Sequence, residues 1–164
     1  MSDHLAGATA GLQRIQKLAE TFLETPVYGD LATVAEEIRV EHHYLEKLIQ
    51  AQGFPRPGLA APALWFAERV ERVKSFVPRG VKVTPSILVF ETELMMSAVT
   101  GKLHGWRSLL DIATDLGVPA EVFEELADDA LRQYEILQEV HAYARQDAFE
   151  TKQETDPEDA APTS

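Results

Sequence analysis

The stretch AEEIRVEHHYLEKL, residues 35–48, carries four glutamates and two adjacent histidines on a strongly helical background. Carboxylates and imidazoles this close together are the usual ligands of a transition metal and the usual acids and bases of proton transfer. A di-iron carboxylate bundle asks for one glutamate from each of two helices and Glu-x-x-His from each of the other two. The residues three before His42, His43, His104 and His141 are Arg39, Val40, Gly101 and Gln138, and His4 is preceded only by Met1 at that distance. No histidine therefore has the glutamate that the standard spacing requires. Histidines four apart, the zinc-protease spacing, are missing as well.

Ionisable residues nevertheless fall on inward-facing positions. In the second helical segment the apolar stripe passes from Ile38 to Leu45, and the turn between them holds Glu41 and His42. His141 is in register between Leu137 and Ala144. Glu91 is in line with Leu88 and Met95, and Lys102 lies one turn before Trp106. An unpaired buried carboxylate costs several kcal/mol, so such groups must pair, protonate or reach water. The leading expectation is a buried polar layer drawn from Glu41, Glu91, Lys102 and His141, with no cofactor. The alternative is a nonstandard iron or manganese site built from Glu41, His42, Glu91 and His141. Glu36, Glu37 and Glu46 are expected in solvent, with Glu46 pairing His42 one turn away and His43 at the surface. An acid/base site or a cavity for a small apolar ligand is the remaining reading.

The elements that must position these groups have helical period. Leu5, Ala8, Leu12, Ile15, Ala19 and Phe22 form one stripe, ended by TPVYGD at about residue 25. A second helix opens near Asp30 and stops at Gly53, with Pro55 and Pro57 beyond. Residues 54–84 form a crossover containing a shorter helix. A third long helix starts with Thr84 as cap and Pro85 at its first position and runs to Gly117. The fourth runs from Pro119 to about Glu150, with Val122, Leu126, Ala130, Tyr134 and Leu137 on its apolar side. Two hairpins joined by one long crossover is the connectivity of an all-α, ferritin-like up-and-down four-helix bundle with an additional short crossover helix. The bundle domain covers residues 1–150, and the acidic tail 151–164 is expected to be disordered.

Small residues recur four apart: Gly7 and Gly11 in the first helix, then Ser97, Gly101 and Gly105 in the third. Interior glycine costs a helix about 1 kcal/mol against alanine. The expected compensation is close helix packing inside the subunit or a homodimer contact.

Composition narrows the function classes. The 164 residues include no cysteine, which removes thiolate catalysis and disulfides. Twenty-seven acidic against fifteen basic residues give a net charge of −12, a surface that repels nucleic acid and anionic lipid. MSDHLAGATAG does not read as a secretory signal, and a cytoplasmic location is expected.

The order of motifs adds a resemblance. DHLAGATAG, ERVERVK, FETELMMSAVTGKLHGWRSLL and ALRQYEILQEVHAYARQDAF resemble a group of small uncharacterised bacterial proteins on the ferritin-like side, over residues 3–150. Its most specific portion is Glu91 and Glu93 followed by Gly101, Lys102 and Trp106. LADDALRQ in the fourth helix departs from the group in its acidity. The resemblance implies a helical bundle and carries no activity. The expected function is a non-catalytic structural or interaction protein, with metal binding as the alternative and an apolar-ligand binder as the second alternative.

Overall fold

The computed structural model describes residues 2–53 and 84–154. Among these, five helices and no strands occur: α1 (Ser2–Thr21), α2 (Tyr28–Ala51), α3 (Pro85–Leu110), α4 (Ala113–Leu116) and α5 (Ala120–Glu154). The expected crossover helix and the ERVERVK motif lie outside the described residues.

Apolar periodicity decides which way each helix faces. Ile15, Leu31, Val34, Ile49, Leu88, Met95, Val99, Phe123, Leu137 and Val140 are almost wholly buried. Full burial of each such side chain stabilises by about 1.5–3 kcal/mol. The core lies between α1, α2, α3 and α5, each of which packs against two of the others: α1 on α2 and α3, and α5 on α2 and α3.

Side-chain contacts fix the helix directions. Thr9 meets His42 and the α1–α2 loop is short, so α1 and α2 are antiparallel. Glu93 meets His141 and Lys102 meets Gln133, so α3 and α5 are antiparallel. Glu41 meets Lys102 while Gln52, further along α2, donates to the carbonyl of Leu116 beyond the end of α3 at 2.7 Å. α2 and α3 therefore run the same way on one diagonal of the bundle. In sequence these two parallel helices are separated by residues 52–84.

The ends differ from expectation in detail. Val27 rather than Asp30 precedes the first turn of α2. Pro85 opens α3 as expected, but the Thr84 side chain makes no capping bond. The third helix does not run unbroken to Gly117. Its ladder tightens where Ile112 N–H bonds to Leu109 O, and the chain restarts as α4. α5 extends four residues past Glu150, into the segment expected to be disordered. Gly53 and Gly117 close their helices at φ +65 and +64, left-handed values that suit glycine at a helix end.

Three glycines of the small-residue stripes have open space beside them among the described residues. A Cβ placed on Gly7, Gly11 or Gly101 would meet nothing within 4 Å among the described residues. These glycines do not bring two of the described helices into close contact. None of the described helices is long and apolar enough to cross a membrane.

Candidate functional site

Glu41 is the one carboxylate at the centre of an inward stripe among the described residues, 5% exposed between Ile38 and Leu45 on α2. Its neighbour His42 turns aside and meets the Thr9 hydroxyl at 2.8 Å. Opposite, on α5, Gln133 is fully buried between Ala130 and Leu137. Lys102 enters from the edge of α3, beside the buried Leu103, its long stem reaching across the bundle diagonal.

These three side chains bond to one another. Lys102 Nζ donates to Glu41 Oε2 at 2.5 Å and also to the Gln133 amide oxygen. Gln133 Nε2 donates to Glu41 Oε1 at 2.7 Å and to Glu37 Oε2 at 3.0 Å. Arg132 then bridges outward, to Glu37 at 2.9 Å and to Asp129 at 2.8 Å. The layer thus grades from a buried ammonium–carboxylate pair to a half-exposed guanidinium at the rim. Burial is the largest influence on Lys102 and pulls its ammonium below the usual lysine range, with Glu41, Glu37 and Asp129 opposing it. Hydrogen bonds donated to Glu37 and Asp129 push Arg132 further up, so it stays charged.

The other expected members are elsewhere. Glu91 is paired with Arg14 of α1 through two bonds of 2.6 and 2.8 Å. This fork-on-carboxylate geometry is the stronger kind of ion pair. Both side chains are about three-quarters or more covered. Arg14→Met would leave Glu91 without its cation and is expected to cost about 1–3 kcal/mol in urea unfolding. Glu91→Gln in the same chain should recover part of that loss. His141 meets Glu93 at 3.1 Å on the outer side of α3 and α5. The pair lines a shallow groove of about 260 Å³ with Met96, Ser97, Thr100 and Tyr134.

The proposed metal set of Glu41, His42, Glu91 and His141 is therefore corrected: the four do not converge. Among the described residues no group of three or more histidines, aspartates or glutamates could hold a metal ion. Of the expected polar layer, Glu41 and Lys102 come together, whereas Glu91 and His141 belong to separate pairs. Glu37, expected in solvent, is a member of the layer instead. Glu46 pairs with His43 at 3.9 Å rather than with His42, and His43 is at the surface as expected.

Sequence reasoning missed Gln133, Arg14 and Arg132 as parts of these pairs. Gln133 had a signal. The positions Phe123, Ala127, Ala130, Gln133, Leu137, Val140 and Ala144 keep helical spacing, and all are buried. The bulkier Leu126 and Tyr134, next in sequence to Ala127 and Gln133, are only partly buried.

One polar atom remains unanswered beside the layer. Trp106, one turn after Lys102, stacks on Phe123 with ring centroids 6.4 Å apart and leans on Tyr44 at 6.5 Å. Its indole Nε1–H is buried without a hydrogen-bond partner among the described residues, at a cost of about 1–3 kcal/mol. A surface depression of about 490 Å³ lies at the opposite end, lined by Glu20, Phe22, Leu23, Glu24, Leu88, Tyr143 and Asp147 among others.

No protein-family model, curated protein or solved structure matches the chain.

Proposed function

We propose that this chain is a non-catalytic structural or interaction protein: a ferritin-like up-and-down bundle whose interior carboxylates are neutralised by side-chain cations. The carrying observation is the ammonium of Lys102, held between Glu41 on α2 and Gln133 on α5. The parallel diagonal of α2 and α3, joined by the long segment 52–84, supports the ferritin-like connectivity. A fold of that kind implies a di-metal carboxylate centre, and the residues present do not fit one. Glu41 and Glu91 each face a lysine or arginine that already uses the oxygens a metal would take.

Protein purified without a tag is expected to contain far less than one iron or manganese per chain by elemental analysis. Its melting temperature should not change with a chelator. Near-stoichiometric metal that disappears in Glu91→Ala would instead establish the iron or manganese reading.

Self-association belongs to the same proposal, with a second copy as the partner. On the outer face of α3, Ser97, Ala98, Thr100 and Gly101 are exposed between Glu93 at one end and Arg107 at the other. An antiparallel copy centred near Gly101 sets each glutamate against the other chain's arginine. The hydroxyls of Ser97, Thr100 and Ser108 already bond to their own helix, so covering them wastes no donor. Gly101→Arg is expected to halve the mass seen by light scattering while leaving the melting temperature unchanged. A fall in melting temperature with unchanged mass would count against this face.

A further inference from the structure

The acceptors around Lys102 are arranged for a cation that happens to be attached to the chain. Its Nζ faces one carboxylate oxygen, Glu41 Oε2, and one amide oxygen, Gln133 Oε1. The second oxygen of Glu41 is committed to Gln133 Nε2, and that same amide nitrogen also holds Glu37. Each acceptor is thus oriented by a further bond and does not depend on Lys102 alone for its position. Charge points the same way. Glu37, Glu41 and Asp129 carry three negative charges against the two positive charges of Lys102 and Arg132. Without the lysine, the layer would hold two uncompensated negative charges, one of them on the 5%-exposed Glu41.

We infer that the Lys102 Nζ position is a binding site for a small primary ammonium ion, occupied in this chain by a tethered one. Truncating the tether opens the site to a free alkylammonium. The ligand class follows from the acceptors. Two converging oxygens at hydrogen-bond range suit N–H groups, whereas manganese or magnesium takes about six oxygen ligands at close to 2.1 Å. The inference concerns the geometry of the layer and holds whether or not the chain acts as a scaffold.

The test uses the full chain carrying Lys102→Ala, in which n-propylammonium replaces the missing atoms. Thermal melting followed by circular dichroism is measured against n-propylammonium chloride. Tetramethylammonium, sodium and manganese chlorides at equal ionic strength are the controls. The expected result is a saturable rise that restores at least half of the melting temperature lost on truncation. The three control salts should give no such rise, and E41Q/K102A should lose the response. If Lys102→Ala is unfolded, the readout becomes recovery of the helical signal on adding n-propylammonium. An equal effect of tetramethylammonium would overturn the inference. So would rescue by manganese alone, a response that survives Glu41→Gln, or no response at any concentration.

Discussion

Lys102→Met is expected to cost about 3–5 kcal/mol, measured as the loss of unfolding free energy in urea. The methionine keeps most of the stem's volume, so the loss arises from charge rather than from a cavity. Glu41 is left 5% exposed with Gln133 as its remaining partner within the layer. A buried carboxylate without its cation is one of the few single-site changes that reach this magnitude. The control is E41Q/K102M, in which the amide introduced at position 41 can bond to the Gln133 amide with no charge on either. That chain is expected to regain more than half of the loss, because burying the ammonium is itself costly. The lowered proton affinity of Lys102, with burial as its largest cause, points to the same cost. Losses in Glu41→Gln and Lys102→Met that simply add would mean the two groups are not coupled, and the layer would no longer act as a unit.

Phe123→Ala carries the second large effect, also about 3–5 kcal/mol. Phe123 is fully buried at the start of α5 and is the stacked partner of Trp106. Cutting it to alanine removes the ring that holds the indole beside the end of α3. The surrounding helices are tied by Gln52 to Leu116, so the cavity can collapse only in part. Phe123→Leu keeps most of the volume and should cost well under half as much. Urea midpoints of the two variants, compared with the parent chain, read this out. A loss below about 1 kcal/mol for Phe123→Ala would mean that this end of the bundle repacks freely.

Much of the helical framework was legible in the order of residues. A helix satisfies its backbone bonds locally, so Leu31, Val34, Ile38 and Leu45, or Leu88, Met95 and Val99, announce both the element and its buried side. Glu41 interrupting such a stripe was readable for the same reason. The break between α3 and α4 was not, since no proline or glycine marks it; the backbone leaves helical angles at Ile112, whose N–H bonds to Leu109 O.

The pairings were harder. Glu91 and Lys102 sit beside buried Thr92 and Leu103, at the edge of the stripe rather than on it. A helix turned by one residue swings about 100°, which separates a group that reaches the centre from one that reaches a neighbour's flank. That rotation sent Glu91 to Arg14 on α1, His141 outward to Glu93, and Gln133 rather than Tyr134 into the middle.

By itself, then, the amino-acid order determined that these segments are helices, which apolar residues α2 and α3 bury, and that charge must be compensated inside. Those are properties of short stretches and of solvation. Which cation answers which carboxylate was decided only by tertiary structure. The choice depends on helix rotation and on which helices are neighbours, and distant parts of the chain settle both together.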